Sequence, residues 1–353
     1  MPTIRDVARL AGVSIATVSN ALSGGRHVSP QVREAVLAAV RELGYVPNRL
    51  ARSLRNRRSQ TIGLIVPDIT NPFFSSLVKS IEQAARARGY QVLLCSSEED
   101  ALLEYDLALA LISRQVDGMI VIPTQDAPRY LQRIGEKTPV VLLDRIGGED
   151  GLDRVGVDNL QAARRGTEYL LSQGHRRILL LISTLELANI RERVEGYQAA
   201  LEAAGIGFDE RWVVPCGRGA DTARVVEKAI QKYRPSAIFA ATNRLSLVAV
   251  QAIRNLNLPF PERISLLGFD DFEWSTLLQP YLSTVRQPLE EMGQRAIQLL
   301  LERLEGVRSG PARVLLPCEL AVRESVAPVA LSMRRKEVRS KDNPGGSAKS
   351  AKP

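Results

Sequence analysis

Apolar residues recur at two different periods along this chain. Between Thr3 and Leu22, Ile4, Val7, Ala8 and Ala11 share one helical face. Gly12 then permits a sharp turn, and a second run from Ile15 to Leu22 turns Val18, Ala21 and Leu22 inward. Thr3 and Asp6 have capping-box spacing, and Ser14 can cap the second run. Ser29-Pro30 opens a third run in which Val32, Val36, Ala39, Val40 and Leu43 keep helical spacing until Gly44 stops it. The pattern predicts a three-helix bundle over residues 1–46 whose first two helices form a helix-turn-helix. Ile15, Ala16, Thr17, Ser19 and Asn20 are left facing outward, and such short side chains let a helix approach another surface closely. Periodicity alone leaves an ordinary small helical subdomain open as well.

From Thr61 the texture changes. "TIGLIVPD", "YQVLLCS", "DGMIVIP", "PVVLLD", "RRILLLIS", "SAIFAA" and "RISLLGFD" are short apolar runs suited to buried parallel strands. Amphipathic stretches at 72–88, 100–115, 158–173, 191–204, 221–233 and 245–256 alternate with them. Strands alternating with helices over 61–330 predict an α/β core of doubly wound parallel sheets, in two lobes with the chain crossing between them. Segments at strand carboxyl ends (Asp68 to Phe74, Asp144-Arg145, Asn243-Arg244, Asp270-Asp271) would face an inter-lobe cleft. Residues 47–60 form a linker in which Pro47 to Leu54 is too short for an isolated helix and needs a partner to pin it. Residues 331–353 read as a disordered basic tail.

Charge changes the picture at the two ends. Residues 1–60 hold ten arginines against three acids, and 331–353 hold seven Lys or Arg against two, while the stretch between is slightly acidic. A merely solvated surface needs no such segregation, whereas a polyanion-binding headpiece does. No apolar run is long enough to span a bilayer, and the first residues carry capping chemistry instead of a signal peptide. Cys95, Cys216 and Cys318 lie far apart beside apolar stretches, as reduced cysteines of a cytoplasmic protein would. His27 and His175 have no zinc-ligand pattern around them, and no Walker A or Gly-x-Gly-x-x-Gly follows a strand. "SLVK" at Ser76–Lys79 lies within a predicted helix and lacks the partner motifs of penicillin-recognising enzymes. No catalytic constellation, cofactor or metal site is therefore expected.

In this order and spacing, "TIRDVARLAGVSIATVSNAL", "VSPQVREAVLAAVRELGYVPNRLARSL", "IGLIVPDITNPFF", "DGMIVIP", "GHRRI", "RERVEGYQAAL", "GFDD", "STVRQP" and "EMGQRA" resemble the LacI/GalR family of bacterial transcription regulators. The resemblance covers about residues 2–325. It implies a homodimer on double-stranded, pseudo-palindromic operator DNA, with a periplasmic-binding-protein-like core that takes a small effector in its cleft. It further implies that the linker becomes a hinge helix in the minor groove, where Leu54 wedges between bases beside Asn48, Arg52 and Arg55. The family's base-reading positions fall on Ile15, Ala16 and Asn20, with Arg26 at the edge, and Ser14, Thr17 and Ser19 are placed as phosphate contacts or caps. Asn20 stands where relatives often carry Arg; Asn can pair bidentately with adenine whereas Arg prefers guanine, so the operator half-site should differ from that of Arg-bearing relatives.

The effector positions implied by the resemblance are Phe73, Arg145, Arg193, Arg218, Asn243, Arg244 and Asp270. Arg145 and Arg218 replace positions that are often aromatic, and Arg244 one that is often Asp. Four arginines suggest a sugar acid or sugar phosphate instead of a neutral sugar, because a guanidinium donates two parallel hydrogen bonds to an anion. Internal pairing with Asp144, Asp158 or Asp270 is the alternative. The tail "ALSMRRKEVRSKDNPGGSAKSAKP" has no apolar heptad, which points to a dimer and not a tetramer. A solute-binding protein would share the core but have no use for residues 1–57, so the headpiece favours a ligand-responsive repressor.

Overall fold

The computed structural model describes residues 2–22, 28–46, 58–125, 129–148, 151–217 and 221–329. They fall into two compact units divided between Ser59 and Gln60. The linker from Pro47 to Arg57 and the tail from Ala330 onward lie outside the described residues, so the hinge helix and the disordered tail expected there do too.

The first unit contains α1 (Ile4–Leu10), α2 (Ile15–Leu22) and α3 (Pro30–Leu43). Each start is fixed by a side chain. The Asp6 carboxylate accepts from the Thr3 N–H (2.9 Å) and hydroxyl (2.7 Å), Ser14 Oγ accepts from the Thr17 N–H (3.0 Å), and Ser29 Oγ accepts from the Val32 N–H (3.3 Å). Gly44 closes α3 at φ 59°, where a Cβ would be strained. Val7, Ala8, Val18, Ala21, Val36 and Ala39 form the small core, and Leu22 is half-buried at its edge.

The second unit holds two six-stranded sheets. The first lobe comprises β1 (Thr61–Val66), α4 (Pro72–Ala87), β2 (Gln91–Ser96), α5 (Ala101–Ser113), β3 (Gly118–Val121), α6 (Arg129–Gly135), β4 (Val140–Leu143) and β5 (Asp153–Val157). The second comprises α7 (Asn159–Ser172), β6 (Ile178–Ile182), α8 (Ala188–Ala203), β7 (Val213–Pro215), α9 (Thr222–Tyr233), β8 (Ala237–Ala240), α10 (Asn243–Asn255), β9 (Ser265–Phe269) and β10 (Ser283–Arg286). The chain then returns: α11 (Leu289–Leu304) packs on α4, β3, β4 and β5, β11 (Arg313–Leu316) pairs with β5, and β12 (Glu319–Ala321) pairs with β10. The strand orders are β11-β5-β4-β3-β1-β2 and β12-β10-β9-β8-β6-β7, parallel throughout except for β12. Three segments thus cross between lobes, after β5, β10 and β11.

All seven expected strands form, and every helix expected within the described residues is present within a few residues of its expected ends. Five strands and two helices were not expected from periodicity. β5 is the instructive one, because Asp153 and Arg154 break its apolar run yet are buried. Arg303 of α11 holds Asp153 through two hydrogen bonds (3.0 and 2.9 Å), and Arg154 donates to the Ile146 carbonyl (3.3 Å). A buried charge with a partner is tolerated where an unpaired one is not. Cys216 and Cys318 are buried, Cys95 is half-buried, and all three are free thiols. Among the described residues no helix is long and apolar enough to cross a membrane.

Candidate functional site

In both sheets the strand order reverses beside the first strand of the lobe, between β1 and β3 and between β6 and β8. Helices leave opposite faces at such points and a crevice opens beyond the strand ends. The two crevices meet in a cleft of about 790 Å³.

The first lobe supplies the turn after β1. Asp68 accepts from the Thr70 N–H (2.8 Å) and hydroxyl (2.6 Å), and Asn71 Oδ1 accepts from the Phe73 N–H (3.0 Å), so α4 starts at Pro72 with its end facing the cleft. Phe73 and Phe74 meet edge to face at 5.2 Å on the cleft floor. After β4, Asp144 adopts φ 63° and turns the chain so that Arg145 also enters.

The second lobe supplies Arg193 from α8, fully enclosed. Its Nε donates to Asn159 Oδ1 (2.8 Å), one Nη donates to the Ala241 carbonyl (2.6 Å), and the guanidinium lies 3.6 Å over the Phe269 ring. Asp270 follows β9 at φ 73° and accepts from Gln287 Nε2 (2.7 Å). Asn243, first residue of α10, donates from Nδ2 to Asn71 Oδ1 (2.7 Å) and so bridges the two lobes. Burial pushes the Asp144 carboxyl up to about 6, against the opposing pull of Arg193 and Arg145. Burial also raises Asp270 and lowers Arg193, with each partly restoring the charge of the other.

Six of the seven effector positions expected from the sequence line this one cleft: Phe73, Arg145, Arg193, Asn243, Arg244 and Asp270. Arg218 lies outside the described residues. An acidic ligand would need unanswered arginines, and two of the four are answered from within. Arg145 forms a two-pronged pair with Glu99 (2.7 Å for each prong) and donates to the Pro123 carbonyl (3.1 Å), and Arg193 is held as described. Two of the three fully buried cleft atoms without a partner among the described residues are acceptors. Gln287 Oε1 and Asn189 Oδ1 are buried without a partner among the described residues, as is the Trp274 Nε1 donor. The Asp144 carboxylate accepts no hydrogen bond there either, although the residue is only 4% exposed. Sequence reading reached Asn71 only as part of the segment Asp68 to Phe74, and missed Glu99, Asn189, Trp274 and Gln287. The N-cap position before Pro72 singles out Asn71, whereas Glu99 and Gln287 sit in a loop and a crossing, Trp274 in a short 3-10 turn, and Asn189 in the first turn of α8, ahead of the helix start expected at 191.

On the first unit, Ser14, which caps α2, is exposed, as are Ile15, Ala16 and Asn20 on the helix itself, and Thr17 and Ser19 are half-buried. Arg26, Asn48, Arg52, Leu54 and Arg55 lie outside the described residues. Among the described residues no cluster of His, Cys, Asp and Glu could hold a metal.

Residues 3–48 match the family described as "Bacterial regulatory proteins, lacI family", and residues 59–324 match "Periplasmic binding proteins and sugar binding domain of LacI family". The ribose operon repressor of Escherichia coli is 34% identical over 311 residues, covering 86% of this chain and 93% of that protein. The lac repressor dimer bound to operator and the anti-inducer ONPF superposes with a TM-score of 0.81 at 27% identity, over 92% of this chain and 99% of that one. A complex of the transcriptional regulator CelR with cellobiose superposes with a TM-score of 0.71 at 32% identity, over 92% of this chain and 100% of that one.

Proposed function

The chain belongs to the LacI family of bacterial regulatory proteins, and we propose that it represses transcription as a cytoplasmic homodimer on a pseudo-palindromic operator, released or fixed there by a small neutral sugar. Its coarse function is that of a transcriptional repressor with a sugar-binding domain, not of an enzyme. The domains read as a headpiece over 1–46, a hinge over 47–60, an effector-binding core over 61–330 and a basic tail.

The observation that carries the DNA half is α2, capped at Ser14 and packed through Val18 and Ala21, with Ile15, Ala16 and Asn20 left on its exposed side. A helix held this way can enter a major groove with its outer residues at the base edges. Ser14, Thr17 and Ser19 then serve the phosphates, Arg26 the edge of the site, and Leu54, with Asn48, Arg52 and Arg55, the minor groove at the operator centre. Dimerisation is supported by an apolar surface on the first lobe. β2 is an edge strand exposing Leu93 and Leu94, and α5 packed beside it exposes Leu102, Tyr105 and Leu109. Patches of this kind mark contact surfaces.

Selection from a random duplex library should enrich two-fold symmetric sites. Asn20→Ala should weaken the best site by about 1–3 kcal/mol and relax the preference at one base pair of each half-site. Enriched sequences without symmetry would refute the paired-headpiece reading.

For the cleft, the supporting observation is the balance of groups. Arg145 is answered by Glu99 and the Pro123 carbonyl and Arg193 by Asn159 and the Ala241 carbonyl, whereas Gln287 Oε1 and Asn189 Oδ1 await donors. A hydroxyl-rich neutral ligand supplies donors, while an anion would add acceptors to acceptors. Phe73 would pack against the sugar's apolar face, with Asn243, Arg244 and Asp270 on its hydroxyls. Calorimetric titration with ribose, cellobiose and other neutral sugars, each beside its acid or phosphate counterpart, should find the binder among the neutral ones. A sugar acid or phosphate binding more tightly than its parent would reverse the assignment.

A further inference from the structure

The backbone after β2 aims one carboxylate at the cleft. Glu98 at φ 51° and Glu99 at φ 61° are two successive residues in the left-handed region, which is uncommon without glycine and needs anchoring on both sides. The Glu99 N–H donates to the Pro67 carbonyl (3.1 Å) and the Asp100 N–H to the Ser97 carbonyl (2.8 Å). Asp100 then caps α5 by accepting from the Leu102 N–H (2.7 Å). Held this way, the Glu99 carboxylate meets Arg145 from the end of β4. Oε2 accepts from Nη1 and Oε1 from Nη2, each at 2.7 Å, and Nη1 also donates to the Pro123 carbonyl (3.1 Å). The Arg145 side chain is 6% exposed and that of Glu99 17%, and both residues line the cleft.

The other charges in and behind the cleft are placed differently. Asp68 accepts from Thr70 in the turn after β1, Asp270 accepts from Gln287, and Glu192 accepts from Asn159 (3.3 Å). Asp144 is buried, and Glu98 and Arg244 are exposed. Arg193 donates to Asn159 and to the Ala241 carbonyl. Arg145 is gripped by a carboxylate through two parallel prongs, the geometry in which a guanidinium receives a ligand's carboxylate or phosphate. Glu99 sits where that anion would sit.

We propose that Glu99 is the specificity-determining residue that reserves the cleft for uncharged ligands, by occupying the anion seat of Arg145 and repelling a second negative charge from it. The proposal rests on the reading of the cleft as the effector site and names the residue that sets the class of its ligand. Without the Glu99 carboxylate, the two N–H groups it had accepted are left unanswered beside the cleft, on a guanidinium that is buried. A buried cation without a counter-charge is costly, and a small anion supplies both the charge and the two acceptors. The variant should therefore acquire an anion site that the wild type lacks.

Inorganic phosphate is the probe, and melting of the full chain is the readout. Wild type, Glu99→Ala and Glu99→Ala/Arg145→Met are melted in rising phosphate, with chloride replaced so that ionic strength and screening stay constant. Phosphate bound at the basic headpiece counts equally in all three. Glu99→Ala should bind phosphate about ten- to a hundredfold more tightly than wild type, seen as a steeper rise of its melting temperature. The double variant removes both charges and should lose the gain. Should Glu99→Ala fail to fold, Glu99→Gln keeps the volume and one acceptor and should show the same gain in smaller measure. A gain absent from both single variants, or surviving without Arg145, would overturn the proposal. If phosphate binding is gained although no neutral sugar binds the wild type, the neutral-sugar reading falls and the role of Glu99 stands. A neutral sugar bound by the wild type, with no gain in the variants, does the reverse.

Discussion

Gly196→Ala should lower the melting temperature by on the order of 10 °C, the largest effect expected of a single methyl group anywhere in the core. Gly196 lies where α8 crosses α7, and a Cβ there would meet the Leu160 carbonyl oxygen and come within 2.9 Å of the Arg164 nitrogen. Both obstacles are helical backbone, which cannot rotate aside as a side chain can. The two helices must separate, and with them goes the packing of Ala162, Ala163, Tyr197 and Leu201. Overpacking of this kind costs about 3 kcal/mol, occasionally more. At roughly 2–4 °C per kcal/mol for a large domain this gives the expected shift. Calorimetric melting checks it, and a loss under 2 °C would show that the crossing relaxes without strain. A comparable contact occurs at Gly293, where α11 meets α4 at Ser80, but there the nearest atom is a hydroxyl that can move.

Arg193→Met should cost about 3–5 kcal/mol at pH 7.5 and abolish ligand binding together with stability. The side chain is 3% exposed and supplies the cation facing both Asp144 and Asp270. Methionine fills much of the volume and keeps contact with Phe269, so the loss is chiefly that of leaving buried carboxylates uncompensated. The pH dependence carries the diagnosis. Both carboxyls are already raised above their unfolded values, and removing the guanidinium raises them further. A raised carboxyl costs stability as pH climbs through its folded value, so the variant should recover towards wild type as pH falls from 7.5 to 5. Denaturant unfolding at both pH values measures this. A deficit equal at the two would mean that Arg193 acts by packing alone.

The headpiece was legible almost residue by residue because its information is local. Caps at Thr3, Ser14 and Ser29 and the stop at Gly44 act within four residues of themselves, and the inward faces follow from helical period. The same holds for the seven apolar strands, whose runs need no partner to be recognised. The cleft was legible in outline, since ligands of such sheets sit beyond strand carboxyl ends and six expected side chains do line it. What those side chains do there was not legible. Arg145 looked like an anion receptor, and only the fold brings Glu99 against it.

By itself, then, the sequence determined the α/β class, the helix-turn-helix, the concentration of positive charge at the two ends and the family resemblance, all of which rest on periodicity, composition and order along the chain. Tertiary structure alone decided that α11 belongs to the first lobe, that Arg303 makes a strand of β5, that Asn71 and Asn243 bridge the lobes, and that Gln287 Oε1 and Asn189 Oδ1 are buried without donors among the described residues. The physical reason is the same in each case. The cost of burying a charge or an amide depends on the partner it meets, and here the partners lie 150 residues apart for Arg303 and Asp153 and 172 apart for Asn71 and Asn243.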